Sequence, residues 1–454
     1  MNDWAQNETQ ASHIKDARLK KRLQSLVSRL SNEPTESIPC ATEGWSETLA
    51  AYRFLDNDKV DVDGILSGHR QATLARIKAQ PVVLAIQDTT FLNFEKQVEN
   101  KFGTLKKTQS HPYLLHPTVA FTPDRINLGV LGVKFWQRPE KPVAHERSRK
   151  PIEEKESVRW LESYALACEV QKQCPETTVV SIADREGDIG EWFMDAQRRC
   201  AQEKAEFIVR AKCNRRTEKK ADEFSYLWDE LAGCKALGSL RFITPRHKNS
   251  KPREVELTLK AKAVEFVGRQ GSQSPPVSVY AVYGQETHPP GKEKPIEWML
   301  LTSLAVEDLS GAQTIMGWYR SRWEIEIYFK VLKGGCAIEA LRLETERRLF
   351  NGIAIYLIAS WRIHTITMAS RCYPEVSCER VFTASEWKTI YVMQKKKKPP
   401  QQAPSLNEAT RMLAQLGGFL ARKGDGEPGV KNIWRGYRRL MDYVSAMALA
   451  HKLG

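Results

Sequence analysis

Two short hydrophobic runs end in the same residue type: "VVLAIQ" is followed by Asp88, and "VVSIA" by Asp184. In an open α/β sheet, ligands collect beyond the strand ends, so an Asp there is placed to bind. It is equally placed to cap a turn or a helix. A third carboxylate, Glu326, lies in "YRSRWEIEIYFKVLKGG", residues 319–335, which has the pattern of one charged helix. Three carboxylates form the oxygen-rich donor set that holds Mg²⁺ or Mn²⁺. At about 100° per residue, Tyr319, Arg322, Glu326, Lys330 and Lys333 fall within roughly an 80° sector, with Ile325, Tyr328, Phe329 and Leu332 largely opposite. A carboxylate bracketed by cations suits a phosphate ester: a metal takes the carboxylate, and the cations take non-bridging oxygens. The alternative is a surface helix laced by pairs such as Glu326–Lys330 at i,i+4.

The surrounding pattern shows what would hold these groups. Residues 1 to about 70 read as helices. "DARLKKRLQSLVSRL" puts Leu19, Leu23, Val27 and Leu30 on one face, and Thr42 is placed to cap a helix in "TEGWSETLAAYRFL". "PVVLAIQDTT" and "TTVVSIADREGD" read as buried strands. "LLHPTVAFTPD" and "NLGVLGVKFWQRP" read as a hairpin, and "EKESVRWLESYALACEVQKQ" as a helix. This alternation argues an α/β core. From about 214 to 304 strand follows strand, as an insertion within that core. "LFNGIAIYLIASWRIHTITMAS" reads as a buried helix, "KKKKPPQQAP" as a linker, and the last helices as a small basic module.

The chain has 454 residues and a formal charge of +14, from 69 Lys and Arg against 55 Asp and Glu. That excess points to an anionic partner, most often nucleic acid; a solvated basic enzyme is the other possibility. Residues 209–253 alone carry 12 Lys or Arg against 5 Asp or Glu. The nine Cys show no C-x-x-C pair, which suits free thiols rather than a zinc site. With no apolar leader and no run of about 18 apolar residues, neither a secretory signal nor a membrane span is expected.

The motif Tyr319, Arg322, Glu326, Lys333, together with "IQDTT" and "ADREGD", resembles the bacterial insertion-sequence transposases of family four, the group that includes the transposon-five transposase. The resemblance extends over "AAYRFLDN" and "LGGFLARKGDGEPG" to nearly the whole chain. It implies a ribonuclease-H-like mixed sheet flanked by helices, with a β insertion before the last catalytic helix. Domains are expected at residues 1–70 (DNA-end binding), 71–370 (catalysis) and 371–454 (dimerisation). The resemblance makes Asp88, Asp184 and Glu326 the catalytic and metal-holding triad. Two Mg²⁺ would be held about 3.5–4 Å apart, with Mn²⁺ substituting. Expected DNA contacts are Tyr319, Arg322, Lys330, Lys333, Arg210, Lys212, Arg215 and Trp298, with Arg18, Lys20, Lys21, Arg22 and Arg53 reading the element's end. Trp298 is assigned to stack an extruded base; otherwise it is a buried strand Trp. Arg210, Lys212 and Arg215 are alternatively a solvated loop. Trp434, Tyr437, Leu440 and Tyr443 are expected to pair two protomers, Tyr437, Leu440 and Tyr443 being alternatively core.

The implied reaction is cut-and-paste transposition: hydrolytic nicking at the element ends, a hairpin intermediate, and transfer of the 3′-OH into target DNA. The partners are double-stranded DNA and a second copy of the chain, in a bacterial cytoplasm. Two rivals belong to other classes. One is a catalytically silent relative that binds ends or other subunits. The other is a host nuclease, which has no need of an end-reading arm.

Overall fold

Five helices open the chain: α1 (Asp3–Thr9), α2 (Ala17–Asn32), α3 (Ile38–Ala41), α4 (Trp45–Leu55) and α5 (Val62–Ile77). Then come β1 (Val82–Gln87), β2 (Thr90–Leu92), β3 (Tyr113–Phe121), β4 (Asn127–Gln137), α6 (Val158–Gln173), β5 (Thr178–Ala183), α7 (Gly190–Arg198) and β6 (Glu206–Arg210). The strand-rich stretch holds β7 (Arg216–Glu218), β8 (Phe224–Tyr226), α8 (Leu227–Ala232), β9 (Gly238–Ile243), β10 (Glu254–Phe266), β11 (Val277–Glu286) and β12 (Glu297–Thr302). Helices end the chain: α9 (Leu309–Arg320), α10 (Glu324–Lys330), α11 (Glu346–Cys372), α12 (Ala384–Lys395), α13 (Leu406–Leu416) and α14 (Val430–Leu453). The structure, a computed structural model, describes residues 3–94, 112–138, 151–218, 224–244, 252–267, 275–291 and 294–453. Parts of the basic stretch 209–253 therefore lie outside the described residues.

Two compact units divide the chain, each assembled from separate segments. One comprises residues 78–88 and 143–323, the other 1–77, 89–142 and 324–454. In the first, β1, β5 and β6 pair in parallel, and β12 joins β6 antiparallel through Leu300↔Arg210 to Thr302↔Ile208. β11 and β10 continue the sheet from β12. The expected insertion thus extends the core sheet edge to edge instead of standing apart from it. β1 and β5 are buried on nearly every residue, which is why both read as unbroken apolar runs. The buried Gln87 amide donates to Ser181 Oγ at 3.0 Å, linking β1 to β5 just below the strand ends.

The second unit is built around α11, which is buried along almost its full length. Its polar residues serve neighbouring loops: Asn351 Nδ2 donates to the carbonyls of Leu55 and Val60, and Trp361 Nε1 to that of Asn127. The hairpin β3–β4 forms as expected, and α5 crosses β4 so closely that a Cβ on Gly129 would lie 2.0 Å from Thr73 Oγ1. Three details differ from the sequence pattern. Thr42 does not cap α4; Gly44, at φ +85°, does, while Thr42 bonds the Ile38 carbonyl and Thr48 Oγ1. Helix α12 was not expected, although a capping box between Thr383 and Glu386 starts it. The Lys- and Pro-rich stretch lies between α12 and α13, inside the C-terminal helical module. The nine cysteines are free thiols, and among the described residues no helix is long and apolar enough to cross a membrane.

One buried polar set anchors the N-terminal helices. His69 Nε2 accepts from the Val130 amide at 2.9 Å, so its Nδ1 carries the proton, donated to Glu8 at 2.5 Å. Arg76 Nη1 reaches the other Glu8 oxygen at 2.7 Å. Burial alone would raise the Glu8 pKa, but His69 and Arg76 outweigh it and hold the carboxyl at about 2. A depressed carboxyl contributes stability above its unfolded pKa near 4.5 and loses it as pH falls towards 2. Glu8→Gln is therefore expected to melt below wild type at pH 7, with the gap closing as pH drops from 4.5 towards 2. Thermal melts of both proteins across that range check this; a gap independent of pH would show that Glu8 acts by packing alone.

Candidate active site

The register of β1 on β5 runs from Val82↔Thr178 to Ile86↔Ile182. Continued two residues, it sets Asp88 opposite Asp184, one residue past each strand end. Neighbouring strands lie about 4.8 Å apart. Two carboxylates at matched positions just beyond adjacent parallel strands lie on the same end of the sheet. That arrangement follows from parallel pairing, and it fits the oxygen-rich donor set of a hard divalent metal.

Asp184 also caps the turn that follows it, Oδ1 accepting from the Glu186 amide at 2.8 Å. That bond uses one carboxylate oxygen, so capping does not by itself exclude a ligand role. The rest of "DREGD" is explained by packing. Glu186 pairs with Arg159. Gly187 has no room for a side chain, since a Cβ there would stand 2.6 Å from Ala183 Cβ. Asp188 is buried; its Oδ2 accepts from the amides of Lys212 and Cys213 at 2.7 and 2.8 Å, and its Oδ1 from Arg215. The second Asp of the motif therefore shapes the turn after β6, a role the sequence did not disclose.

Arg322 Nη1 donates to Asp88 Oδ2 at 2.7 Å, both side chains being mostly buried. Tyr319, nearly fully buried, sits among Arg322, Arg210 and Asp184. Burial pushes its phenol up, against the pull of the two arginines, so the hydroxyl stays protonated at neutral pH. Arg210 donates to the Glu297 carbonyl at 3.0 Å, and burial lowers its guanidinium from the ordinary value. Trp298 is half-buried: it stacks on Phe242 at 6.1 Å and meets Tyr319 edge-on at 5.7 Å, while Arg320 lies over the other aromatic, Phe242, at 3.9 Å. It is thus neither a core tryptophan nor a lone surface one. Phe242 and Arg320 belong to the same aromatic file; nothing in their local sequence marks them. Lys212 is exposed, whereas Arg215 is committed to Asp188 and packed over Phe193 and Phe266.

The stretch 319–335 is not one uniform helix. α9 ends at Arg320, a 3-10 turn covers Ser321–Trp323, α10 follows, and Val331–Gly335 forms a π turn. A constant 100° step therefore does not apply, because the turns differ in residues per turn. Ile325, Tyr328, Phe329 and Leu332 are buried as expected. Glu326 is half-buried, and Lys330 is exposed with no ion-pair partner among the described residues. Lys333 donates to the Phe91 carbonyl and lies 3.6 Å from Glu339, so it braces the end of β2. Among the described residues, no three His, Cys, Asp or Glu side chains gather as a metal cluster.

On α2 and α4, Lys20, Lys21, Arg22 and Arg53 have no ion-pair partners among the described residues; Arg18 pairs with Asp16 at 3.4 Å. In the C-terminal module Tyr437 and Leu440 are fully buried in the core of their own protomer, and Trp434 nearly so. Tyr437 and Leu440 are therefore core, not pairing, residues; among the described residues the large apolar side chains exposed on α14 are Met447 and Leu449.

Three families match different parts of the chain. Residues 1–60 match "Transposase DNA-binding", residues 170–362 "Transposase DDE domain", and residues 358–453 "Transposase Tn5 dimerisation domain". Among solved structures, a piggyBac transposase synaptic complex with hairpin DNA aligns with 95% of this chain and 76% of that chain, at 10% identity and a TM-score of 0.33, too distant to inform the site.

The two aspartates of "DREGD" make opposite demands. Asp184→Ala is expected to abolish strand cleavage with DNA-end binding kept and stability lowered only by about 1 kcal/mol, the loss of one cap bond. Asp188→Ala is expected to cost roughly 3 kcal/mol, because it strips a buried anchor from Arg215 and two amides. Urea melts and a cleavage assay on both variants test the division; a stable Asp188→Ala protein, or one still cleaving with Asp184→Ala, would reverse it.

Proposed function

The chain belongs to the Tn5-type DDE transposases, ribonuclease-H-like enzymes that cleave DNA and transfer its strands, and from that membership we propose that it moves an insertion sequence by cut-and-paste. Water nicks the element end, the freed 3′-OH attacks the opposite strand to form a hairpin, a second water opens it, and the 3′-OH then joins target DNA. Each step is an in-line displacement at phosphorus, so one site serves all of them.

The observation that carries this reading is the matched register of Asp88 and Asp184 beyond β1 and β5. With Glu326, they would hold divalent metal; Mg²⁺ as the natural ion, Mn²⁺ as its substitute and two ions per site are part of the proposal. Bound divalent ions polarise a phosphodiester and increase the acidity of an attacking hydroxyl. Arg322, which pairs with Asp88, would turn its planar fork to a phosphate. Tyr319 offers a neutral hydroxyl as a donor. Lys330, Lys333, Arg210 and Lys212 take phosphate oxygens, while Arg215 holds the turn that presents Lys212. The unpaired cations of α2 and α4 read the element's end, where phosphate contacts dominate affinity. The Trp298–Phe242 stack offers a platform for an extruded base. Two protomers hold two ends, with Met447 and Leu449 available for pairing.

One incubation tests the reading: protein, Mg²⁺ and linear DNA carrying the element's end. Nicking, hairpin formation, a double-strand break and joining to a second DNA are expected. A shifted band without cleavage would instead favour the silent regulator, and cleavage indifferent to the end a nuclease. In the same assay, Trp298→Ala is expected to nick normally but form hairpins roughly ten- to a hundredfold more slowly, in line with the ~1–3 kcal/mol that base stacking contributes. A uniform slowing of every step with a lowered melting temperature would make Trp298 a structural residue.

A further inference from the structure

Helix α10 carries Glu326, yet it spans only Glu324–Lys330 and has a 3-10 turn before it and a π turn after it. A helix so short takes little of its orientation from its own regularity, so side chains must set it. Two polar groups tie it to α11. Tyr328 Oη donates to the Leu357 carbonyl at 2.8 Å, fully buried. Glu324, buried at the start of the helix, faces His364 Nε2 at 3.5 Å. Tyr328 and Glu324 lie about 40° apart around the helix, with Glu326 about 160° from each. The helix is therefore held against α11 on the face opposite the carboxylate.

The Glu324 contact is a poor device for stability alone. Among the described residues its Oε2 has no hydrogen-bond donor, and neither His364 nitrogen has a hydrogen-bond partner. Arg125, held at φ +72° in the β3–β4 turn, reaches Glu324 Oε1 only to 3.8 Å. The His364 ring is boxed edge-on by Phe121 and Tyr328 at 5.8 and 6.4 Å. A buried pair this loosely bonded does little for stability, and well-packed apolar residues commonly replace such pairs without loss. We propose that Glu324, held by His364, is a positioning residue that sets the rotation of α10 and so the direction of Glu326. The inference rests on Glu326 being the third metal-holding carboxylate.

The test uses the full-length chain and DNA carrying the element's end, with Mg²⁺ titrated into the cleavage assay. The variants are Glu324→Gln, the double variant Glu324→Met with His364→Leu, and Glu326→Ala as control. The double variant is expected to melt at or above wild type and to bind the end normally. Its cleavage should fall about tenfold or more, as small misplacements of reacting groups do, and its half-saturating Mg²⁺ concentration should rise. Glu324→Gln, the isosteric change, should show the same shift in smaller measure, and it carries the test alone if the double variant fails to fold. Cleavage per folded molecule and Mg²⁺ dependence within about twofold of wild type would overturn the proposal, as would a loss that merely follows the folded fraction. If Glu326→Ala itself still cleaves, the reading of Glu326 falls instead, whatever the other variants do.

Discussion

The parallel pairing of β1 with β5 is the constraint on which the candidate chemistry depends. Backbone hydrogen bonds between these strands fix which residue leaves the sheet beside which, and they bring Asp88 level with Asp184. A slip by one residue would separate the carboxylates and move every side chain of one strand into packing shaped for its neighbour. Burial of both faces makes such a slip costly, and the Gln87–Ser181 bond pins the pairing at its last turn before the carboxylates. The same apolar runs that build the sheet therefore aim its two acids.

Cations in this protein divide into those that fold it and those left for a partner. Arg159, Arg215 and Arg76 are paired with Glu186, Asp188 and Glu8 in partly or fully buried settings. Lys20, Lys21, Arg22, Arg53, Lys212 and Lys330 have no such partner among the described residues. These cations are part of the excess that gives the chain its net charge of +14. Such a surface favours a polyanion, and phosphate contacts of this kind give affinity without sequence preference.

Around α11 the second unit solves a different problem. A helix buried on all sides must place its polar residues where loops need donors, and Asn351 and Trp361 do this for the carbonyls of Leu55, Val60 and Asn127. It also provides the Leu357 carbonyl and His364, against which α10 rests. The helix that looks purely structural in sequence is the surface on which Glu326's helix is seated.

Much of this was legible in residue order alone. Unbroken apolar runs before Asp88 and Asp184 marked buried strands, and the spacing of Tyr319, Arg322, Glu326 and Lys333 marked a family with a known chemistry. Periodicity reports which residues are buried, because burial follows the local repeat of helix or strand. It does not report which distant group satisfies a buried charge. That is why Arg215 read as a DNA contact but is bound to Asp188, and why Tyr437 and Leu440 read as pairing residues but fill their own core. It is also why Phe242 and Arg320, remote from each other in sequence, were not seen beside Trp298. The change from α to 3-10 to α to π along 319–335 was invisible for the same reason: each turn there yields to tertiary packing, not to local preference. Sequence determined the elements, the charge and the acids; the tertiary structure decided the register that aligns Asp88 with Asp184 and the partner of each buried ion, since both are set by contacts between residues far apart in the chain.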